Sequence, residues 1–384
     1  MLNKMETTYL ARESDARPDE ECFRHVLLAL SDSPLPSMGS IVEELFVRMK
    51  SLSLVPDSSC FGAAIKTWSK SALHPKNPKS DSDAGRADRK LKQMAEMYHR
   101  TTTVVVKPTR DNFNWVIRAW SAQKNPGAAE RAEELLDEME KLYAGGDYDV
   151  RPDKDSYTFV IEAWGKSERT DKVDHAASLL RRMKDQFEWG NELAKPTVDS
   201  YHAVLNVCSN AKGTPDEKSH ALQAAIQIVK TLKLAEGHEG ANPMTYTLLL
   251  QCCQKLLPRG ATELTRALES VFQSCCSEGL VDHVVLKTFK EAAPYELYQK
   301  VVLGTEGDAG SSSARGSKAL PTEWTRNASL TGRGRGYQSK VLLSVDGTFF
   351  VPSTIKENMM TRLREKTNQK KLRGGRLQRS KCKE

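Results

Sequence analysis

Apolar residues recur along the chain with the spacing of one face of an α-helix. The clearest stripe, at positions i, i+3, i+4 and i+7, is formed by Phe113, Val116, Ile117 and Trp120. Such spacing predicts an amphipathic helix. Related segments return at intervals of about 45 residues, and a repeat of this length predicts a solenoid of stacked helical units. Their aromatic anchors are Phe23, Phe61, Phe113, Tyr157, Tyr201 and Tyr246.

A second amphipathic pattern follows each first one, so that each unit is predicted to be two antiparallel helices. Neither helix can bury its apolar stripe alone, and neighbouring units must therefore stack. Trp68, Trp120 and Trp164 lie on the anchor face and are predicted to pack between helices. The polar segment 71–86 is predicted to be a loop, and the additional residues of 144–151 and 186–195 are also placed in loops.

The residue that ends each unit is of a type that caps helices. An oxygen of such a side chain accepts a hydrogen bond from a free amide in the first helical turn. These predicted N-caps are Asp19, Asp57, Thr109, Asp153, Thr197 and Asn242.

The order of these features resembles the pentatricopeptide repeat family. In its clearest copies the unit reads aromatic–x–x–Val/Leu–Ile–x–Ala–Trp, then Ala–x–x–Leu–Leu–x–x–Met, then Pro–Asp or Pro–Thr; fainter copies at 18–31 and 242–253 extend the resemblance over residues 20–283. The resemblance implies an all-α, right-handed α-solenoid of helix-turn-helix repeats. These units are longer than the family's usual length of about 35 residues. Their bounds are 20–57, 58–109, 110–153, 154–197, 198–242 and 243–283.

Composition divides the chain further. Residues 1–19 read as a partial repeat, and 20–300 as the array with a capping helix over 284–300. A flexible linker is expected at 301–320, followed by a basic tail at 321–384 with a short β-hairpin at 341–351. The net charge is +7, yet the residues after 300 alone carry an excess of about ten positive charges. The array is therefore near neutral, and RNA affinity within it would require a local basic stripe.

The first residues predict that the chain starts inside a repeat. Met5 falls at the register position of Met139 and Met183, and Pro18–Asp19 closes the unit. Transit peptides are poor in acids, whereas this stretch holds Glu6 and Glu13. We expect further repeats, and a targeting peptide, upstream of Met1.

No catalytic motif is present in the sequence. There is no Walker loop, no G-x-S-x-G, no G-x-G-x-x-G and no zinc-deaminase signature. The cysteines form no C-x-x-C pair and are interpreted as reduced core residues. We therefore predict a protein that is not an enzyme and holds no metal or cofactor. An enzyme domain upstream of Met1 stays an open alternative.

The resemblance implies which residues contact RNA. In this family one base is read per unit, by the residue after the aromatic anchor and the last residue of the unit. Only Asn114 with Asp153 matches a favoured family combination, the one associated with uracil. Asp111, Asp155 and Asp199 occupy positions where the family has an apolar stacking residue. The implied RNA-binding residues are Arg24, Asp57, Gly62, Thr109, Asn114, Asp153, Thr158, Thr197, His202, Asn242 and Thr247.

The resemblance implies sequence-selective or semi-selective binding of single-stranded RNA, in processing, stability or translation of organellar transcripts. The expected location is a mitochondrion or plastid, and the expected state is a monomer without membrane attachment. The alternative is a protein-binding helical-repeat scaffold, which the near-neutral array and the acidic first turns favour. A positive stripe along the first helices would support RNA, and a neutral or negative one a protein partner.

Overall fold

The computed structural model describes residues 11, 17–33, 38–75, 77, 79–101, 106–234, 240–303, 318–328, 342–343 and 349–350. The chain divides into two compact units. The first comprises residues 1–241 with 251–259, and the second comprises residues 242–250 with 260–384.

The first unit is built from helical hairpins, in which odd-numbered helices are the first helices of the repeats. Each of the three inner first helices packs against its own second helix, against the preceding second helix and against the next first helix. The predicted all-α repeat fold is thereby confirmed. The helices are α1 (Glu20–Asp32), α2 (Met38–Ser51), α3 (Ser58–Leu73), α4 (Ser80–Thr101), α5 (Arg110–Ser121), α6 (Ala128–Ala144), α7 (Lys154–Lys166), α8 (Lys172–Glu188), α9 (Val198–Ser209) and α10 (Pro215–Leu234).

The apolar stripes form the core. The anchors of the first helices and the methionines of the second helices are almost completely inaccessible to solvent. Burying one such side chain stabilises the fold by about 1.5–3 kcal/mol, so each hairpin depends on its neighbours for most of its stability. These side chains are Phe23, Phe61, Phe113, Tyr157, Tyr201, Met49, Met94, Met139 and Met183.

At two junctions between repeats, a buried tryptophan of a first helix donates a hydrogen bond to a glutamate of the preceding second helix. The buried Trp164 indole donates to Glu133 Oε2 at 2.7 Å, and the His175 ring stacks on that indole at 3.8 Å. The same type of hydrogen bond occurs two junctions earlier, where the Trp68 indole donates to Glu43 Oε1 at 3.2 Å. The predicted core role of these two tryptophans is confirmed.

The junction between them lacks one of these bonds. Asp88 occupies the place of Glu43 and Glu133, and its carboxylate binds Arg131 through two hydrogen bonds of 2.8 and 2.9 Å. Among the described residues, the buried Trp120 indole nitrogen has no hydrogen-bond partner. Aspartate is one methylene shorter than glutamate, and both carboxylate oxygens of Asp88 are engaged with Arg131.

The predicted loop at 71–86 is wrong at both ends, because α3 continues to Leu73 and α4 begins at Ser80. Asp83 accepts hydrogen bonds from the Ser71 hydroxyl at 2.7 Å and the Asn77 amide at 2.8 Å. Ala84 and Ala87 are fully buried. Local composition predicted a polar loop, whereas these contacts with the end of α3 and with the core stabilise a helix.

The additional residues at 144–151 and 186–195 form similar turns. Each turn contains a glycine with positive φ, Gly146 at +94° and Gly190 at +95°, which favours glycine because other side chains are strained there. An Asp or Asn side chain then accepts from an amide two residues later, and a short 3-10 helix follows, Tyr148–Val150 or Glu192–Ala194. These insertions are thus regular connections into the next first helix.

The second unit is stabilised by stacked aromatic rings. Its helices are α12 (Thr262–Glu278), α13 (His283–Ala292), α14 (Tyr295–Tyr298) and α15 (Thr322–Thr325), and α11 (Pro243–Leu256) begins in it and ends in the first unit. Phe272 of α12 stacks on Phe289 of α13 with ring centroids 4.1 Å apart. Trp324 lies edge-on to Phe272, and the Val281 amide donates to its carbonyl at 2.8 Å.

Short strands lie in the C-terminal region. Strand β2 (Leu342–Leu343) pairs antiparallel with β3 (Phe349–Phe350), with Leu342 opposite Phe350, as the predicted hairpin requires. Strand β1 (Lys318–Ala319) pairs with β2. The predicted turn at 346–347, most of the linker, and residues 351–384 lie outside the described residues. No described helix has both the length and the apolar character needed to span a bilayer.

Replacement of Glu133 by alanine should destabilise the first unit. The Trp164 indole and one Arg182 donor would lose their acceptor, and an unsatisfied buried donor costs about 1–3 kcal/mol. Denaturant unfolding should show this loss as a lower midpoint. The matched control is Glu138→Ala, an exposed glutamate of the same helix, expected to change the free energy of unfolding by less than about 0.5 kcal/mol. Equal midpoints for the two variants would contradict this account.

Candidate nucleic-acid interface

The residues that end the repeats cap the following helices, as predicted. Asp57 accepts from the Cys60 amide at 2.8 Å, Asp153 from the Ser156 amide at 2.9 Å and Asn242 from the Thr245 amide at 3.1 Å. Thr109 and Thr197 use the reciprocal bond, since their amides donate to Asn112 Oδ1 at 3.0 Å and to Ser200 Oγ at 3.4 Å. These bonds satisfy backbone amides at the start of each first helix.

Asn114 and Asp153 come together between α5 and α7. The Asn114 amide nitrogen donates to Asp153 Oδ1 at 3.1 Å, and the Ser156 hydroxyl donates to Asn114 Oδ1 at 2.7 Å. The second carboxylate oxygen of Asp153 lies 3.1 Å from Arg110 Nε as an ion pair. Both residues are half-buried. The predicted reading pair is therefore assembled, with part of its hydrogen-bonding capacity already used within the protein.

Arg24 and Asp57 form the corresponding pair in the first repeat of the array, 20–57. Arg24 Nη1 lies 3.4 Å from Asp57 Oδ2, and Arg24 also binds Glu21 at 3.0 Å. Burial opposes ionisation of Asp57, but the Cys60 amide and the Arg24 guanidinium outweigh it and hold the pKa of this carboxyl below its usual 3.8. Arg24 is thus already neutralised by two carboxylates.

The remaining predicted residues are placed less favourably for contact with a base. Gly62 has no side chain, Thr109 is exposed, and Thr158 donates its hydroxyl to the Lys154 carbonyl at 2.7 Å. His202 is half-buried, and desolvation lowers its pKa below 6.5 against the opposing charge of Asp199.

In the second unit, Thr247 is buried and donates to the Pro243 carbonyl at 3.0 Å. Asn242 is committed to its cap with Thr245. Their assignment as base contacts stays a prediction.

The Asn114–Asp153 pair borders an open hollow of about 190 Å³, here named the α5–α7 hollow. Sequence reasoning missed three of its residues, Trp115, Arg118 and Phe159. Each aromatic ring lies two residues after its anchor, so the spacing alone could have identified them. The hollow is lined by Asp111, Asn114, Trp115, Arg118, Asp153, Asp155 and Phe159.

No family model and no curated relative matches the chain. Among solved structures, it is similar to the pentatricopeptide repeat protein PPR10 in complex with an 18-nt psaJ RNA element, with 15% identity, a TM-score of 0.25, and coverage of 76% of this chain and 53% of that chain. For PPR10 from maize the identity is 17%, the TM-score 0.20, and the coverage 80% and 51%. The chain spans about half the length of these structures. They belong to the family that the sequence resembles, but similarity at this level carries over no geometry.

Several lysines lie in the C-terminal half of a first helix or just after its end. Lys70 donates to the Ser31 carbonyl at 2.7 Å and Lys166 to the Ser121 carbonyl at 2.6 Å, in each case on the preceding first helix. Lys212 binds Glu168 at 2.8 Å, and Lys66 binds Asp32 at 2.7 Å. These cations bridge neighbouring repeats, which lowers the positive charge that they present to an anionic ligand.

Acidic pH should weaken the fold through Asp57. A carboxylate with a lower pKa in the folded chain stabilises that state above its unfolded pKa. The free energy of unfolding should therefore fall as pH is lowered through about 4. Asp57→Asn should remove this component, expected to be about 0.5 kcal/mol because both partners are partly exposed. Denaturant unfolding across pH measures it.

Arg24→Gln should remove part of the same pH-dependent contribution to the free energy of unfolding. In the Asp57→Asn background, however, Arg24→Gln should leave the pH dependence unaltered. A pH dependence of Asp57→Asn identical to that of the parent chain would contradict the assignment.

Proposed function

We propose that the first unit binds single-stranded RNA along the exposed face of its first helices, without catalysis. The observation that carries this proposal is the Asn114–Asp153 pair, hydrogen-bonded at 3.1 Å and half-buried beside the α5–α7 hollow. Sequence-specific recognition of RNA acts on unstacked bases whose edges form hydrogen bonds with side chains. An amide and a carboxylate at one position supply donors and acceptors for such an edge.

The existing bonds define how a base would be read. The Asn114 amide has a second N–H, and its oxygen has a second lone pair beyond the bond from Ser156. A uracil edge offers one N–H donor between two carbonyl acceptors, which matches the remaining N–H donor and the remaining acceptor lone pair of Asn114. The Ser156, Asp153 and Arg110 contacts hold the amide in place, so the side chain pays little ordering entropy on binding.

Selectivity should be loose over the rest of the array. Gly62 provides no functional group, and the Arg24 and Asp57 side chains neutralise each other. The proposed ligand is therefore a single-stranded RNA with base preference concentrated at α5 and α7. By the resemblance alone, we extend the proposal to organellar transcripts in a mitochondrion or plastid.

The acidic first turns favour a second candidate, a protein-binding scaffold. Asp111, Asp155 and Asp199 are exposed at the N-terminal ends of α5, α7 and α9. These carboxylates repel phosphate, while Lys70 and Lys166, near the C-terminal ends of α3 and α7, donate to carbonyls of neighbouring repeats. A partner with basic side chains would suit such a surface. The two candidates differ in their response to polyanions. RNA is itself the ligand of the first candidate. It would displace a basic protein partner only from residues that both ligands contact.

Replacement of Asn114 by alanine should weaken RNA binding by about threefold to tenfold, the effect of one or two hydrogen bonds. The measurement is the dissociation constant of the full chain for short single-stranded oligouridylate, beside duplex DNA, across a salt series. The matched control is Gln223→Ala, which removes an exposed amide from α10. Absence of RNA binding at low salt would reject the proposal, and equal affinities of the two variants would reject the role of Asn114.

A further inference from the structure

The α5–α7 hollow contains two aromatic rings on neighbouring first helices. Trp115 follows Asp111 by four residues, and Phe159 follows Asp155 by four, so each ring lies on the same helical face as the acid before it. Both side chains are half-buried and line the hollow. Each therefore has a packed part and a part open to a ligand.

Arg118 lies between these rings. Its guanidinium carbon is 5.7 Å from the Trp115 ring centroid and 5.5 Å from that of Phe159, within the range of cation–π attraction. The side chain is exposed. Within the described residues, no carboxylate forms an ion pair with Arg118, whereas Arg24, Arg131 and Arg182 each bind at least two.

The combination has the chemistry of a nucleotide site. Aromatic rings provide stacking surfaces for bases, and an arginine without a carboxylate partner provides donors for a phosphate. Asn114 lines the same hollow and presents amide donors and acceptors. Asp111, Asp153 and Asp155 also line it, and they can accept from base N–H groups but repel phosphate. A bound nucleotide must therefore direct its base toward the rings and its phosphate toward Arg118.

We propose that Trp115 and Phe159 stack a base of single-stranded RNA in the α5–α7 hollow, and that Arg118 leaves the rings to bind an adjacent phosphate. The inference rests on the proposed function. It adds a stacking surface for a base, which residue pairs such as Asn114 and Asp153 do not provide. Asp111 and Asp155 offer no flat apolar surface for stacking, and the rings one helical turn further along provide it. The guanidinium occupies the stacking space in the free protein because it is planar and weakly hydrated.

Comparison of short oligouridylate with an abasic oligomer of the same length separates contacts with the base from contacts with phosphate, and the ring variants then isolate the stacking part. The full chain should bind oligouridylate about tenfold more tightly. Trp115→Ala and Phe159→Ala should each remove most of this preference. Arg118→Gln should weaken both ligands and reduce the salt slope of binding by about one. The matched controls are Trp189→Ala, 78% exposed, and Arg181→Gln, exposed on α8.

A fluorescence measurement keeps the test informative where an alanine variant unfolds. Oligouridylate should quench the tryptophan emission of the parent chain, and Trp115→Phe should remove most of that quenching while retaining affinity within about threefold.

The results distinguish the two proposals. If Trp115→Ala and Phe159→Ala match the Trp189→Ala control while Asn114→Ala still weakens binding, the stacking site is rejected and the proposed function stands. If the parent chain binds no RNA, both are rejected.

Discussion

Burial of two apolar stripes between adjacent hairpins is the constraint on which the structure depends. A first helix such as α5 contacts α3, α4, α6 and α7, so its burial involves both neighbouring repeats. In such arrays stability is approximately the sum of hairpin terms and nearest-neighbour interfaces. The Trp164–Glu133 bond and the lysine bridges lie at these interfaces, where they fix the register of one repeat on the next.

The same register determines the candidate interface. Asp153 caps α7, binds Asn114 on α5 and pairs with Arg110. One carboxylate therefore both caps the start of α7 and lines the α5–α7 hollow. Capping is worth about 1 kcal/mol, which gives a reason for an acid at this position without any ligand. A ligand contact at Asp153 is an additional use of a residue that the fold already requires.

Much of the fold could be predicted from sequence because its periodicity is local. The anchors, the methionines and the N-caps follow from spacing and residue type, and the structure places them as expected. The start of α4 at Ser80 could not be predicted, because it depends on Asp83 meeting Ser71 and Asn77 in three dimensions. The Trp120 indole nitrogen, which has no hydrogen-bond partner among the described residues, likewise could not be identified from spacing.

The site was predictable only in part. The family resemblance implied Asn114 and Asp153 as a pair, but could not show that Ser156 hydrogen-bonds Asn114 or that Arg110 forms an ion pair with Asp153. Arg118 between two rings is a contact across repeats, and no single repeat contains it. Its identification required the packing of α5 against α7.

The positions of the acids and rings reflect two opposing electrostatic demands. A carboxylate in the first turn, such as Asp111 or Asp155, is stabilised by the helix dipole, yet it repels the phosphates of an RNA ligand. Four residues of helix displace a side chain by about 6 Å along the same face, so Trp115 and Phe159 can offer stacking surfaces beyond these acids. The corresponding positions hold Ala63 and Ala203 in the flanking repeats. The two rings of the proposed stacking site therefore lie together only where α5 packs against α7, and the neighbouring repeats hold these two helices in place.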